Sequence, residues 1–169
     1  LKSSTDLSIR PTTDRVKEYI FNILQSFPQD ARVTDIFSGS GSLGLEALSR
    51  GALFCRFVEQ ASSSISVLKD NLQHIKVPAT VYQIIQKDAL QFAKSDSVKS
   101  DLVFMDPPYI YPPLQDLVNA VFFSKLLAED GILVLEHEVI NPIKTESEHY
   151  KLFSQKQISR SLISFLEYR

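Results

Sequence analysis

The sequence predicts an α/β fold built on a mostly parallel sheet, and three observations predict it. Strand-like and helix-like segments alternate along the chain. A glycine-rich turn, Gly39 to Gly44, joins an apolar strand-like run to a helical pattern. A second apolar run, Leu102-Val103-Phe104-Met105, leads directly into Asp106-Pro107-Pro108-Tyr109. Ligands of open α/β sheets bind outside the carboxyl ends of the strands, so both segments fall where a site belongs.

The elements follow in order. Thr13 to about Ser26 reads as a helix with Ile20, Phe21, Ile23, Leu24 and Phe27 on its apolar face. Thr12 or Thr13 can cap it, and Pro28 ends it. Val33 to Phe37 is a buried strand, and Leu43 to Ser49 is a helix closed by Gly51. Leu53 to Val58, Thr80 to Ile85 and Leu102 to Met105 are the next strands. Ser62 to Ile75 and Ala89 to Lys94 are the helices between them, with a polar surface loop from Ser95 to Ser100. Asp116 to Leu127 is helical, and Gly131 leads into a strand from Ile132 to Glu136. Tyr150 to Phe153 and Leu162 to Tyr168 form a hairpin-like pair at the sheet edge. No repeat or interdomain linker breaks the pattern, so residues 1–169 are expected to form one domain.

A chain of 169 residues can bury roughly 70% of the surface its unfolded form exposes. The net charge of −2 argues against a polycationic nucleic-acid binder, although a local basic patch remains compatible with it. The single cysteine, Cys55, excludes an internal disulfide, lies in an apolar run and suits a reducing cytoplasm. No apolar run reaches the roughly 18 residues of a membrane span, and no signal-peptide pattern opens the chain. The chain opens on Leu1 and its sole methionine is Met105, so residues 1–9 are expected to be a trimmed N-terminal extension.

The turn Asp35-Ile-Phe-Ser-Gly39-Ser-Gly41-Ser-Leu-Gly44 carries the G-x-G-x-x-G spacing of a dinucleotide site, with Glu59 where a ribose-binding acid belongs. An NAD-dependent oxidoreductase is therefore one reading. Glycines allow positive φ and close ligand approach, and Glu59 can accept hydrogen bonds from two ribose hydroxyls. Two acids separate the alternatives. Asp35 stands at the strand tip, where it would repel a pyrophosphate but suit an ammonium-bearing ligand. Asp88, followed by Ala89, can accept from an adenine amino group. S-adenosylmethionine has an amino group, a ribose, an adenine and no phosphate, so it suits these acids better. The expected cofactor set is Asp35, Phe37, Ser38, Gly39, Ser40, Gly41, Glu59, Gln60, Asp88 and Ala89. The competing reading for both Asp35 and Asp88 is capping of a turn.

Asp106-Pro107-Pro108-Tyr109 suits transfer to an exocyclic amino group of a nucleobase. Such a nitrogen is a poor nucleophile because its lone pair is delocalised into the ring. Hydrogen bonds to the Asp106 carboxylate and the Pro107 carbonyl would favour a pyramidal nitrogen. Pro107 and Pro108 fix their φ angles and so limit the motion of that carbonyl, and Tyr109 can stack on the base. Catalysis would be chiefly orientation and electrostatic placement. Alone, the tetrapeptide is equally compatible with a plain turn.

Arg10-Pro-Thr-Thr-Asp-Arg-Val-Lys-Glu-Tyr-Ile-Phe-Asn22, the Asp35-to-Arg50 run and Asp106 to Tyr109 together resemble the RsmD family. Its members are bacterial methyltransferases acting on the N2 amino group of one guanine in small-subunit ribosomal RNA. The glycine and Asp-Pro-Pro-Tyr motifs are shared by many amino-methyltransferases of DNA and RNA, and the Arg10-to-Asn22 run narrows the match. The resemblance implies a Rossmann-like methyltransferase fold: a seven-stranded mixed sheet, the last strand antiparallel, with helices on both faces. It also implies that Arg10, Thr12, Thr13 and Arg15 line the cofactor and substrate mouth. Thr13 is assigned to the cofactor, and Arg10, Thr12, Arg15 and Tyr109 to the substrate. The partner implied is 16S rRNA or an assembling small subunit, met by a cytoplasmic monomer. The family's basic, glycine-containing segment before the Arg-Pro-Thr-Thr run is not matched by Leu1 to Ile9. Its Tyr-Gly pair near the C-terminus reads Ile158-Ser159, a change expected to alter a strand turn and not the chemistry.

A DNA adenine or cytosine amino-methyltransferase is the related alternative, but such enzymes generally need a target-recognition domain for which this sequence has no room. A non-catalytic RNA-binding module is the alternative outside enzymes. His74, His137 and His149 show no paired metal-ligand spacing, and Glu136-His137-Glu138 reads as a charged strand end at the surface. No metal is expected.

Overall fold

The computed structural model describes residues 14–169. The expectations placed on Leu1 to Thr13, among them the helix cap and the roles of Arg10, Thr12 and Thr13, lie outside the described residues. The first helix, α1 (Asp14–Leu24), buries Val16, Ile20, Phe21 and Leu24, one stripe at helical spacing. Gln25 takes a left-handed φ of 49° directly after it.

Strand β1 (Arg32–Ile36) leads to α2 (Ser42–Ser49), β2 (Phe54–Glu59) and α3 (Ser62–His74). A 3-10 turn over Ala79–Val81 precedes β3 (Tyr82–Gln86), which therefore starts later than the expected Thr80. Then follow α4 (Ala89–Ser95), β4 (Ser100–Met105), α5 (Leu114–Phe123), β5 (Leu127–Glu138), β6 (Tyr150–Ile158) and β7 (Ser161–Tyr168). The seven strands form one sheet in the order β3-β2-β1-β4-β5-β7-β6. Pairings among β1 to β5 are parallel, and β7 runs antiparallel to both β5 and β6.

Each central strand is buried on both faces, as parallel sheets require. In β4, Leu102 and Phe104 join the core beneath α1, α2 and α3, while Val103 and Met105 join the core beneath α4 and α5. Phe57, Phe104 and Phe165 are fully buried on the first side, each contributing roughly 1.5–3 kcal/mol. Cys55 lies in the same core. Arg56 is a cation buried on the opposite face. Its guanidinium meets Asp96 at 2.6 Å, the Val98 carbonyl at 2.6 Å and the hydroxyls of Thr34 and Ser100 at 3.1 Å. Full pairing is what makes such burial tolerable, and it ties the Asp96-to-Ser100 loop to β2.

Three expectations are corrected. The helix expected over Asp116 to Leu127 ends at Phe123, because Lys125 adopts a φ of 58° and reverses the chain. Leu126 and Leu127 stay buried, but Leu127 already pairs with Ser100 as strand. The strand expected over Tyr150 to Phe153 extends to Ile158. Its polar second half is exposed, so hydrophobic pattern did not mark it. The strand expected at the edge with it, β7, lies inside the sheet between β5 and β6, and only β6 forms that edge.

Candidate active site

The carboxyl ends of β1, β2, β4 and β5 surround one cavity of about 540 Å³, a size suited to a nucleoside-like ligand. At its floor the chain leaves β1 through Phe37 (φ 63°), Gly39 (φ 52°) and Gly41 (φ 84°), three left-handed residues within five positions. Phe37 holds that conformation without glycine's freedom, and its ring packs edge-on against Tyr111 at 5.1 Å. Gly44 answers a different need. A Cβ there would run into Phe57 and sit 2.7 Å from the Cys55 sulfur, so α2 approaches β2 only because the position is glycine.

The glycine N–H donors of this turn are already taken. Gly39 N–H donates to Glu59 Oε2 at 3.0 Å, Gly41 N–H to the Ser38 carbonyl at 2.6 Å, and Gly44 N–H to Asp35 Oδ2 at 2.9 Å. A dinucleotide site needs such N–H groups for its pyrophosphate. Here carboxylates occupy two of the three glycine donors, so the turn offers acceptors to a ligand. That favours a cationic, phosphate-free cofactor over NAD.

Asp35 is 2% exposed, and burial is the main force on its carboxyl. The Gly44 hydrogen bond opposes that force and the Glu59 charge adds to it, leaving the group pushed up to about 7. Glu59 Oε1 accepts from the N–H groups of Gln60 and Ala61 at 2.8 and 2.9 Å. With Gly39 on Oε2, a carboxylate of about four lone-pair sites keeps one position for a ribose hydroxyl, fewer than the two anticipated from sequence. Asp88 is the N-cap of α4, accepting from Gln91 N–H at 2.9 Å, while also lining the cavity. Capping and cavity-lining therefore coincide in both Asp35 and Asp88.

Phe37, Ser38, Gly39, Ser40, Gln60 and Ala89 line the same cavity. The buried Ser38 hydroxyl has no hydrogen-bond partner among the described residues, and such a group calls for a polar atom from a ligand. Gly41 does not line the cavity: it packs beneath the turn, where a Cβ would strike Leu68. On the opposite wall Asp106, Pro107, Pro108 and Tyr109 all contribute, and Asp106 N–H still reaches the Ile36 carbonyl at 3.4 Å. Tyr109 is 48% exposed, at the mouth. Arg15 is exposed on the first turn of α1 and is not among the lining residues.

Sequence reasoning passed over Lys87, Tyr111, Glu136 and His137, which also line the cavity. Glu136 and His137 are 5% and 4% exposed, so the expected surface strand end is in fact a buried wall. The reason is register: Met105 pairs with Leu135, which brings the end of β5 alongside the Asp106 loop. His137 lies 3.0 Å from the Asn141 carbonyl through Nδ1 and 3.0 Å from the Ser164 hydroxyl through Nε2. Burial lowers its pKa, against smaller opposing hydrogen bonds from the ring to the backbone of Asn141 and Glu138. The neutral ring then donates from Nδ1 and accepts at Nε2. Asn141 in turn donates to the Tyr111 carbonyl at 3.3 Å, linking β5 to the loop after β4. Among the described residues no group of three or more His, Cys, Asp or Glu side chains is placed to hold a metal ion, and no helix is long and apolar enough to cross a membrane.

A single reversed strand in this order, with an acid-lined glycine turn facing Asp-Pro-Pro-Tyr across one cavity, defines the Rossmann-like methyltransferase class. A family model described as "Conserved hypothetical protein 95" matches residues 1–167. The chain belongs to this family, the RsmD family. It is 39% identical to "Putative rRNA methyltransferase YlbH" of Bacillus subtilis, over 82% of this chain and 76% of that protein. It is 34% identical to "Ribosomal RNA small subunit methyltransferase D" of Escherichia coli, over 88% of this chain and 74% of that protein. The solved structure titled "Putative methyltransferase yhhF from Escherichia coli" superposes with a TM-score of 0.87 at 30% identity, covering 99% of this chain and 91% of that one.

Proposed function

We propose that this protein transfers a methyl group from S-adenosylmethionine to the exocyclic N2 of a guanine in 16S ribosomal RNA. It acts as a cytoplasmic monomer on the RNA or on the assembling small subunit. One observation carries the reading: the turn whose glycine N–H groups are committed to Asp35 and Glu59 faces Asp106 to Tyr109 across a single cavity. The names of the relatives support the rRNA substrate.

Bound there, S-adenosylmethionine supplies an electrophilic methyl on a sulfonium. Glu59 would hold a ribose hydroxyl, Asp88 and the Ser38 hydroxyl would meet adenosine polar atoms, and Asp35 would balance the cationic end. Asp106 and the Pro107 carbonyl accept the two N2 hydrogens and favour a pyramidal nitrogen whose lone pair faces the methyl. Tyr109 stacks on the base. The sulfonium would give up its methyl to N2 and become a neutral thioether, and Asp106 or water would take the extra N2 proton. Orientation of this kind can supply several kcal/mol of the barrier reduction, roughly 7–11 at the upper end.

The test is to incubate the protein with methyl-labelled S-adenosylmethionine and unmodified small subunits, then map the labelled nucleoside by mass spectrometry. One N2-methylguanosine is expected; label on adenosine, on cytidine or on DNA overturns the reading. Asp106→Ala should abolish transfer at least 100-fold while S-adenosylhomocysteine affinity stays within about threefold, since the two sets of residues occupy opposite walls.

A further inference from the structure

The proposed chemistry leaves Glu136 unused, although it is 95% buried in the wall of the cavity (5% exposed). Its position follows from the sheet. β4 and β5 run parallel with Val103, Phe104 and Met105 opposite Leu133, Val134 and Leu135. β4 ends at Met105, so the chain leaves the sheet at Asp106 next to the pair after which β5 continues to Glu136. Residues paired in a parallel ladder project to the same face from strands about 4.8 Å apart. Phe104 and Val134 share one core, so Glu136, two positions on in β5, projects to that face, while Asp106 begins the loop after β4. Both carboxylates thus line one cavity, at the wall assigned to the target base.

Guanine's Watson–Crick edge presents adjacent donors, N1–H and the N2 amino group, followed by the O6 acceptor. Asp106 and the Pro107 carbonyl account for N2. A buried N1–H left unpaired would cost its full desolvation, so a second acceptor beside Asp106 is what guanine requires. Adenine and cytosine place a ring nitrogen with a lone pair next to their amino group, and that lone pair would face a carboxylate. Resting on the guanine reading above, we propose that Glu136 reads the base: its carboxylate accepts N1–H and so selects guanine over other amino-bearing bases. His137 holds this part of β5 in place through Ser164 and Asn141, which keeps the neighbouring carboxylate on a fixed backbone.

The test exchanges the base and the residue together. Small subunits are reconstituted with RNA in which the mapped target guanine is replaced, through a ligated synthetic segment, by 2-aminopurine. That base keeps the 2-amino group but has a bare lone pair at N1. The full wild-type chain should methylate guanine roughly 100-fold faster than 2-aminopurine, as expected when a site built for a donor meets an acceptor. Glu136→Gln, whose carboxamide can turn an N–H toward the bare N1, should narrow that preference to less than tenfold. S-adenosylhomocysteine affinity should stay within threefold, reporting an intact fold. A variant slower on both bases with the ratio unchanged overturns the inference and leaves the guanine reading standing. Equal wild-type rates on the two bases overturn the inference without recourse to the variant, should that variant fail to fold. Absence of wild-type transfer to guanine overturns both.

Discussion

Asp35→Asn puts a number on the acid beneath the glycine turn. The side chain is 2% exposed, and its carboxyl is moved from 3.8 up to about 7, mainly by burial. A folded-state pKa above the unfolded value means that the folded protein holds the proton longer. The group's favourable contribution is therefore complete below pH 3.8, falls as pH rises, and is lost above about pH 7. At 1.36 kcal/mol per pH unit, the full span from 3.8 to about 7 amounts to about 4 kcal/mol. About 3 kcal/mol of that falls between pH 5 and 7. Asn keeps an oxygen for Gly44 N–H and carries no charge at any of these pH values. Urea unfolding of both proteins at pH 5 and pH 8 should show the variant gaining about 3 kcal/mol on the wild type at the higher pH. Charges elsewhere cancel in the comparison because they are common to both proteins. A difference that is the same at both pH values, within about 0.5 kcal/mol, would refute the reasoning, since it would mean that Asp35 ionises in the folded state as readily as in water.

Two further outcomes follow from the same region and from the C-terminal hairpin. Gly44→Ala forces a methyl against Phe57 and Cys55; a loss of about 1–3 kcal/mol in urea unfolding is expected, with S-adenosylmethionine binding weakened as α2 is pushed off β2. Ser159→Gly replaces a residue at φ 57° in the turn between β6 and β7. It should raise stability by about 0.5–1 kcal/mol and leave transfer unchanged, as thermal unfolding and the methyl-transfer assay would show together.

The parts of this molecule that were legible in the sequence are those where one residue type has one physical use. Gly39 and Gly41 mark positive φ, Asp106 to Tyr109 mark a strand exit, and the apolar run Leu102 to Met105 marks a strand covered on both faces. Lys125 was not legible, because a lysine at left-handed φ looks like any other surface lysine and the apolar pair Leu126-Leu127 continues the helical pattern. Glu136 and His137 were misread for a related reason. Charge suggests solvent, and only the pairing of Leu135 with Met105 shows that these residues face a cavity. Lone-pair counting at Glu59 was equally out of reach, since Gly39 becomes its neighbour only after folding and the Gln60 and Ala61 N–H groups turn onto its carboxylate only in the folded turn.

The place of β7 has a consequence for how this protein comes into being. The last of these seven strands to be made is inserted between β5 and β6, and its Phe165 packs edge-on against Tyr19 of the first helix at 6.1 Å. The core beneath α1 therefore has a gap that only residues 161–168 can fill. During synthesis, earlier segments can pair locally, but the sheet stays split and α1 lacks its partner until the C-terminal strand emerges. Contacts between such distant segments make folding slow for the chain's size. They also make it a late, concerted event, so the cavity is completed only once translation has delivered β7.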